Sequence, residues 1–156
     1  MQYYPTLVTF HIIFAGAWLI FFAADIIIKK KIFSASNEIK NGFISLYLQL
    51  TNLFGIVGSM GIAITGIIMV IMNPGYGFFD MSHAHWLATK QIIFVIILIL
   101  TFAKIIPSAK KLREAISSSI NEEIETYLAA VIKFNKYINI LVIINFIFAI
   151  THRFYS

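Results

Sequence analysis

Phe43 to Met72 reads FISLYLQLTNLFGIVGSMGIAITGIIMVIM, thirty residues without one charged side chain. A helix needs about 20 apolar residues to cross a hydrocarbon core of roughly 30 Å, so this stretch is long enough to span a bilayer. Asn73-Pro74-Gly75 ends it, because that turn chemistry cannot continue a helix. Three further runs are built alike. The first extends from about Tyr4 to Ile28 and is closed by Lys29-Lys30-Lys31. The third begins near Ser82, a plausible N-cap, and reaches about Ile106, before Pro107. The fourth apolar run, about Tyr137 to Thr151, is short. It continues a longer helix from about Ser119 to His152, whose start Ser119-Ile120-Asn121-Glu122 reads as a capping box. The expected fold is all-α: an integral membrane four-helix bundle forming one domain over residues 1–156, with spans at about 4–28, 43–72, 82–106 and 119–152.

Composition agrees. The chain is 60% hydrophobic and 12% charged, with mean hydropathy +0.87, whereas a soluble domain is roughly 45–50% apolar and about 25% charged. The absence of cysteine excludes disulfides, thiolate zinc sites and covalent c-type haem. Met1-Gln2-Tyr3-Tyr4-Pro5 has neither a basic n-region nor a cleavage site behind it, so it reads as the start of a retained helix. The net charge of +5 is unevenly spread. Lys29, Lys30, Lys31 and Lys40 follow span one, and Lys104, Lys110, Lys111, Arg113, Lys133 and Lys136 lie between spans three and four. The loop from Asn73 to His85 has no basic residue, and only Lys90 and Arg153 remain. The positive-inside rule puts both basic segments in the cytoplasm, and both termini and the middle loop outside. The expected location is the inner (cytoplasmic) membrane, multi-pass. The charge is a topology signal, which argues against nucleic acid as a partner.

That orientation brings ionisable groups to one layer. His11 stands six residues past Pro5, about 9 Å into span one, and Lys90 stands eight residues past Ser82, about 12 Å into span three from the same side. His83 and His85 lie at the mouth of span three, with His152 and Arg153 at the exit of span four. Ionisable side chains at membrane depth are costly and face the bundle interior, so they are functional candidates.

Steps of three and four residues put His11 on one face with Ala15, Trp18, Phe22 and Asp25, and His83 on another with Trp86 and Lys90. Span two presents Thr51, Gly55, Ser59, Ala63 and Gly66 as a small-residue stripe, with Gly58 and Gly61 beside it. Such a face admits another backbone or a flat cofactor. Each candidate has a packing alternative. His11 is either a metal or haem ligand or a histidine bonded to a neighbouring helix. Lys90 either snorkels to the interface or meets an anionic group. His83 and His85 are either solvated or, with Met81, copper ligands. Trp18 is deep for an aromatic belt, whereas Trp86 suits one. Asp25 reads as an interfacial partner of the lysine run, and Asn139 and Asn145 as interhelical glue.

His11-Ile-Ile-Phe-Ala-Gly-Ala-Trp18, followed by Trp86-Leu-Ala-Thr-Lys90, resembles the haem-containing bacterial protoporphyrinogen oxidase type, and is similar also to copper-resistance D-type membrane proteins. The resemblance covers the four-span layout, and it rests on the spacings of seven and four residues. It implies bound haem b, with His11 and Lys90 as the functional positions and Lys90 the catalytic candidate. After Trp18 and at the end of span three the chain departs from the oxidase pattern, with Phe21-Phe22-Ala23-Ala24-Asp25 and Thr101-Phe102-Ala103-Lys104.

The leading expectation is a b-type haem protein that moves electrons between a quinone or porphyrin-like donor and a partner. His11 would be an axial ligand, with His85 or His152 the second, because imidazoles on two helices can clamp one iron. Lys90 or Arg153 would neutralise propionates, and Trp18 and Trp86 would border the cofactor. A copper-handling protein using Met81, His83, His85 and His11 is the second expectation. A structural small subunit of a larger membrane complex, or of a homo-oligomer, is the third.

Overall fold

A computed structural model describes residues 3–151, with Asn37 described by its backbone alone. Four helices are each long and apolar enough to cross a membrane: α1 (Tyr4–Ser34), α2 (Glu38–Met72), α3 (His85–Ser117) and α4 (Asn121–Thr151). The protein is an all-α membrane four-helix bundle. Pro5 opens α1 within its first turn, where its missing N–H costs nothing. Ala35, in extended conformation, breaks α1 from α2. Isoleucines such as Ile12, Ile13, Ile20 and Ile27 are more than half exposed on α1, as a lipid-facing surface requires.

Both ends of α3 differ from the sequence expectation. It begins at His85, with Ala84 rather than Ser82 at the cap. It also passes through Pro107 and continues to Ser117. A π-turn at Thr101–Ile105 precedes the proline. The wider turn moves the carbonyl four residues back away from the pyrrolidine ring, so the helix bypasses the clash that would end it. Ser119 does not start α4. It adopts φ 56°, and the bonds Ile120 N to Ala115 O (3.2 Å) and Ser119 N to Ile116 O (3.2 Å) form a Schellman closure of α3.

The core is uneven. At the end carrying the basic segments, Ile28, Ile32, Ile44, Leu48, Leu112, Leu128 and Val131 form one buried cluster drawn from all four helices. A second cluster around Trp18, Phe21, Ile97, Ile105 and Ile138 fills the middle. Neither extends beyond Trp18 on α1, Ile62 on α2, Ile93 on α3 or Val142 on α4. Towards the histidine end the helices pack chiefly as two pairs, α1 with α2 and α3 with α4. The glycine face of α2 is covered by α1: the Phe14 ring lies where a side chain on Gly61 would go, and the Phe14 carbonyl is 3.9 Å from the same position on Gly58. Gly58 and Gly61, beside the small-residue stripe, therefore serve close helix approach, while in the stripe itself a side chain on Gly66 would meet the His11 ring at 3.5 Å and one on Gly55 would meet open space.

Candidate functional site

At the histidine end, α1 and α2 are joined by His11 and Thr65. The Thr65 hydroxyl donates to the Gly61 carbonyl at 2.6 Å. Its oxygen lies 2.8 Å from His11 Nδ1. With the Thr65 proton on the Gly61 carbonyl, that oxygen accepts from His11 Nδ1–H and the lone pair falls on Nε2. In either tautomer the bond holds the ring orientation. Thr65 is buried and His11 half-buried. Fastening one ring nitrogen so that the other can coordinate is how outer partners orient metal-binding histidines.

On α3, at the same end of the bundle, Lys90 is half-buried. Its Nζ lies 5.6 Å from the Trp86 ring centroid, a cation–π distance. The Trp86 ring in turn meets Tyr76 edge-on at 5.9 Å. Among the described residues Lys90 has no carboxylate partner. Asn145 of α4 donates to the Lys90 carbonyl at 3.3 Å, while its own Oδ1 is buried without a partner. Asn145 thus bridges helices as expected, at the expense of one orphan acceptor.

The remaining predicted residues are placed elsewhere. Trp18 is 4% exposed in the mid-bundle core, about 10 Å inward of His11 at 1.5 Å per residue, so it packs there and does not flank the histidine. His83 is exposed in the loop, its Nδ1 2.7 Å from Ser82 Oγ and 3.2 Å from Asp80 Oδ2. Asp80 also accepts from the Ser82 backbone N–H at 2.8 Å and from its hydroxyl at 2.5 Å. The Ser82 hydroxyl and amide hold the Asp80 carboxyl at about 2, below the usual range. His85 is the exposed first residue of α3. Among the described residues no three His, Cys, Asp or Glu side chains gather as a metal set, so His11 does not join His83 and His85 in one cluster. His152 and Arg153 lie outside the described residues.

The sequence reading missed a second polar centre, nearer the basic end. Asp25, 1% exposed, accepts from Tyr47 on α2 at 2.8 Å and from Asn139 on α4 at 3.1 Å, and pairs with Lys29 one turn along at 2.6 Å. Asn135 extends the network, donating to Tyr47 Oη at 2.8 Å and to Thr51 Oγ1 at 3.3 Å. Thr51 and Asn135 reach a cavity of about 20 Å³, which is also lined by residues of both π-turns, Gly55 from Leu53–Gly58 and Thr101 from Thr101–Ile105. Every acceptor position named here is satisfied within the protein. A lone aspartate beside lysines does not reveal this, because its partners stand 22 and 114 residues away.

No protein-family model matches the chain, and no curated protein or solved structure matches it either.

Proposed function

We propose that the protein is a b-type haem protein of the bacterial inner membrane, carrying electrons from a hydrophobic donor of quinone or porphyrin type. The observation that supports this best is a histidine held at Nδ1 by Thr65 at the same end of the bundle as a half-buried lysine that has no carboxylate partner among the described residues. A bare metal ion needs several protein donors, and among the described residues no three His, Cys, Asp or Glu side chains gather. A porphyrin iron brings four nitrogens of its own, so one imidazole and a cation for the propionates fit it. His11 would hold the iron through its ring nitrogen away from Thr65, Thr65 would set the ring orientation, and Lys90 would balance a carboxylate of the cofactor or the substrate. The sparsely packed end between the two helix pairs would offer a flat apolar body entry from lipid. When bound, the haem supplies the redox step, and the protein tunes it by ligation, burial and charge. The spacing resemblance to the oxidase type agrees with His11 and Lys90 in these roles.

The test is the dithionite-reduced minus oxidised spectrum of the purified protein, with elemental analysis. A Soret band present in the native chain and lost in His11→Ala supports the assignment. Thr65→Val should weaken haem retention about 10–100-fold, the usual effect of removing such an outer partner. A native chain without a Soret band rejects the proposal, and copper in place of iron moves the assignment to the copper alternative.

A further inference from the structure

A groove of about 370 Å³ runs along α4 beside the end of α1, away from the histidine site. Asn139 stands opposite Asp25. The two helices run antiparallel, so Lys136 and Lys133, three and six residues along α4, reach the level of Ile28 and Lys31. The groove thus begins at the apolar edge, at Tyr137, and crosses the level of the Lys29–Lys31 run. Under the positive-inside rule this is the cytoplasmic head-group layer.

Its walls are two-natured. Phe33 is 69% exposed and Tyr137 45% exposed, and with Ile132 they form an apolar side. Phe33, two residues past the lysine triplet, thus presents an open aromatic ring beside that charge. Lys133 and Lys136 edge the groove, and among the described residues neither has a carboxylate partner. Glu125, the one acidic residue lining it, is tied to Lys40. The groove therefore has unopposed positive charge at the height of lipid phosphates and apolar surface beside it.

We infer that this groove is a binding site for one anionic glycerophospholipid of the cytoplasmic leaflet. Its phosphate sits between Lys133 and Lys136, and its glycerol and upper chains lie against Phe33, Ile132 and Tyr137. Basic recesses between helices at the cytoplasmic face recognise head groups in this way. The site is independent of the haem assignment.

Native mass spectrometry of the full chain, released from nanodiscs of equal phosphatidylglycerol and phosphatidylcholine, tests it. The expected result is one retained phosphatidylglycerol, favoured over phosphatidylcholine by about thirtyfold, the ratio that two lysines near an anionic surface supply. Lys133→Ala/Lys136→Ala should bring that ratio close to one. Both side chains are exposed, so the fold is not at stake. Lys110→Ala/Arg113→Ala, with equal charge removed outside the groove, should leave the ratio unchanged. Equal retention of both lipids by the native chain overturns the inference, as does a preference that survives in the groove variant or falls equally in the control. A dimer mass without lipid, lost on Lys133→Ala/Lys136→Ala, also overturns it and assigns the groove to a second copy.

Discussion

Removing the Asp25 carboxylate is the sharpest test of how the bundle is held together. In Asp25→Ala, three donors lose their acceptor: Lys29, Tyr47 and Asn139. They do not lose it equally. The Lys29 side chain is 20% exposed at the basic end and can turn to the interface, so its loss is small. Tyr47 and Asn139 are 0% and 3% exposed, with no water to turn to. A buried donor left unsatisfied costs about 1–3 kcal/mol, whereas interhelical hydrogen bonds in membranes average only about 0.6 kcal/mol because the unfolded chain finds other partners. Two orphans set the expected destabilisation at about 2–4 kcal/mol. Asp25→Asn keeps an oxygen for Tyr47, and Asn139 can turn its own oxygen towards the new amide, so that variant should lose only about 1 kcal/mol. Unfolding in mixed micelles, followed by tryptophan fluorescence and circular dichroism, measures both. Trp18 in the mid-bundle core makes the signal sensitive to packing. If Asp25→Ala lies within about 0.5 kcal/mol of the native protein, the orphan-donor reasoning fails. If Asp25→Asn is as damaging as Asp25→Ala, the stabilisation resides in the charge pair with Lys29 instead.

Gly61→Ala puts a methyl group into the Phe14 ring and should destabilise the α1–α2 pair by about 1–3 kcal/mol, read as a lower unfolding midpoint; a compensating Phe14→Leu should restore part of it. Ser119→Gly should stabilise the chain by about 1 kcal/mol, because serine bears the left-handed strain at φ 56° and glycine does not; an unchanged midpoint argues against the Schellman closure. The Asp80 carboxyl is held at about 2, so its contacts to Ser82 contribute fully above the ordinary carboxylate range and are lost as pH falls through the folded value. In a His83→Ala background, which removes the imidazole bonded to both groups, the Ser82 amide resonance should therefore stay constant from neutral pH to about 4 and move only below it; movement between pH 7 and 5 in that variant would contradict the pairing.

The four spans were legible because apolar runs of this length have few alternatives in water. Helix boundaries were not. Pro107 and Ser119 were read by their own preferences, yet a π-turn two residues earlier frees the proline, and the carbonyls of Ala115 and Ile116 claim the serine's end of the chain. His11 was identified by its expense in a membrane, but its partner Thr65, 54 residues away, carries no sequence signal that pairs them. Asp25 was read from its lysine neighbours, and its more consequential bonds come from α2 and α4. His83 and His85, read as either solvated or copper ligands, are both exposed, with His83 on a loop carboxylate and His85 on the first turn of α3.

The unequal filling of the bundle has a mechanical consequence. Gripped firmly at the lysine-rich end and sparsely packed at the other, the two helix pairs resemble the arms of tweezers. Thermal opening should begin at the tips, where few apolar contacts resist it, and amide exchange should graduate along each helix accordingly. A guest wedged between the arms would close that gradient, so protection gained at Phe10 and Ile92, with none at Leu128, would mark an occupied jaw.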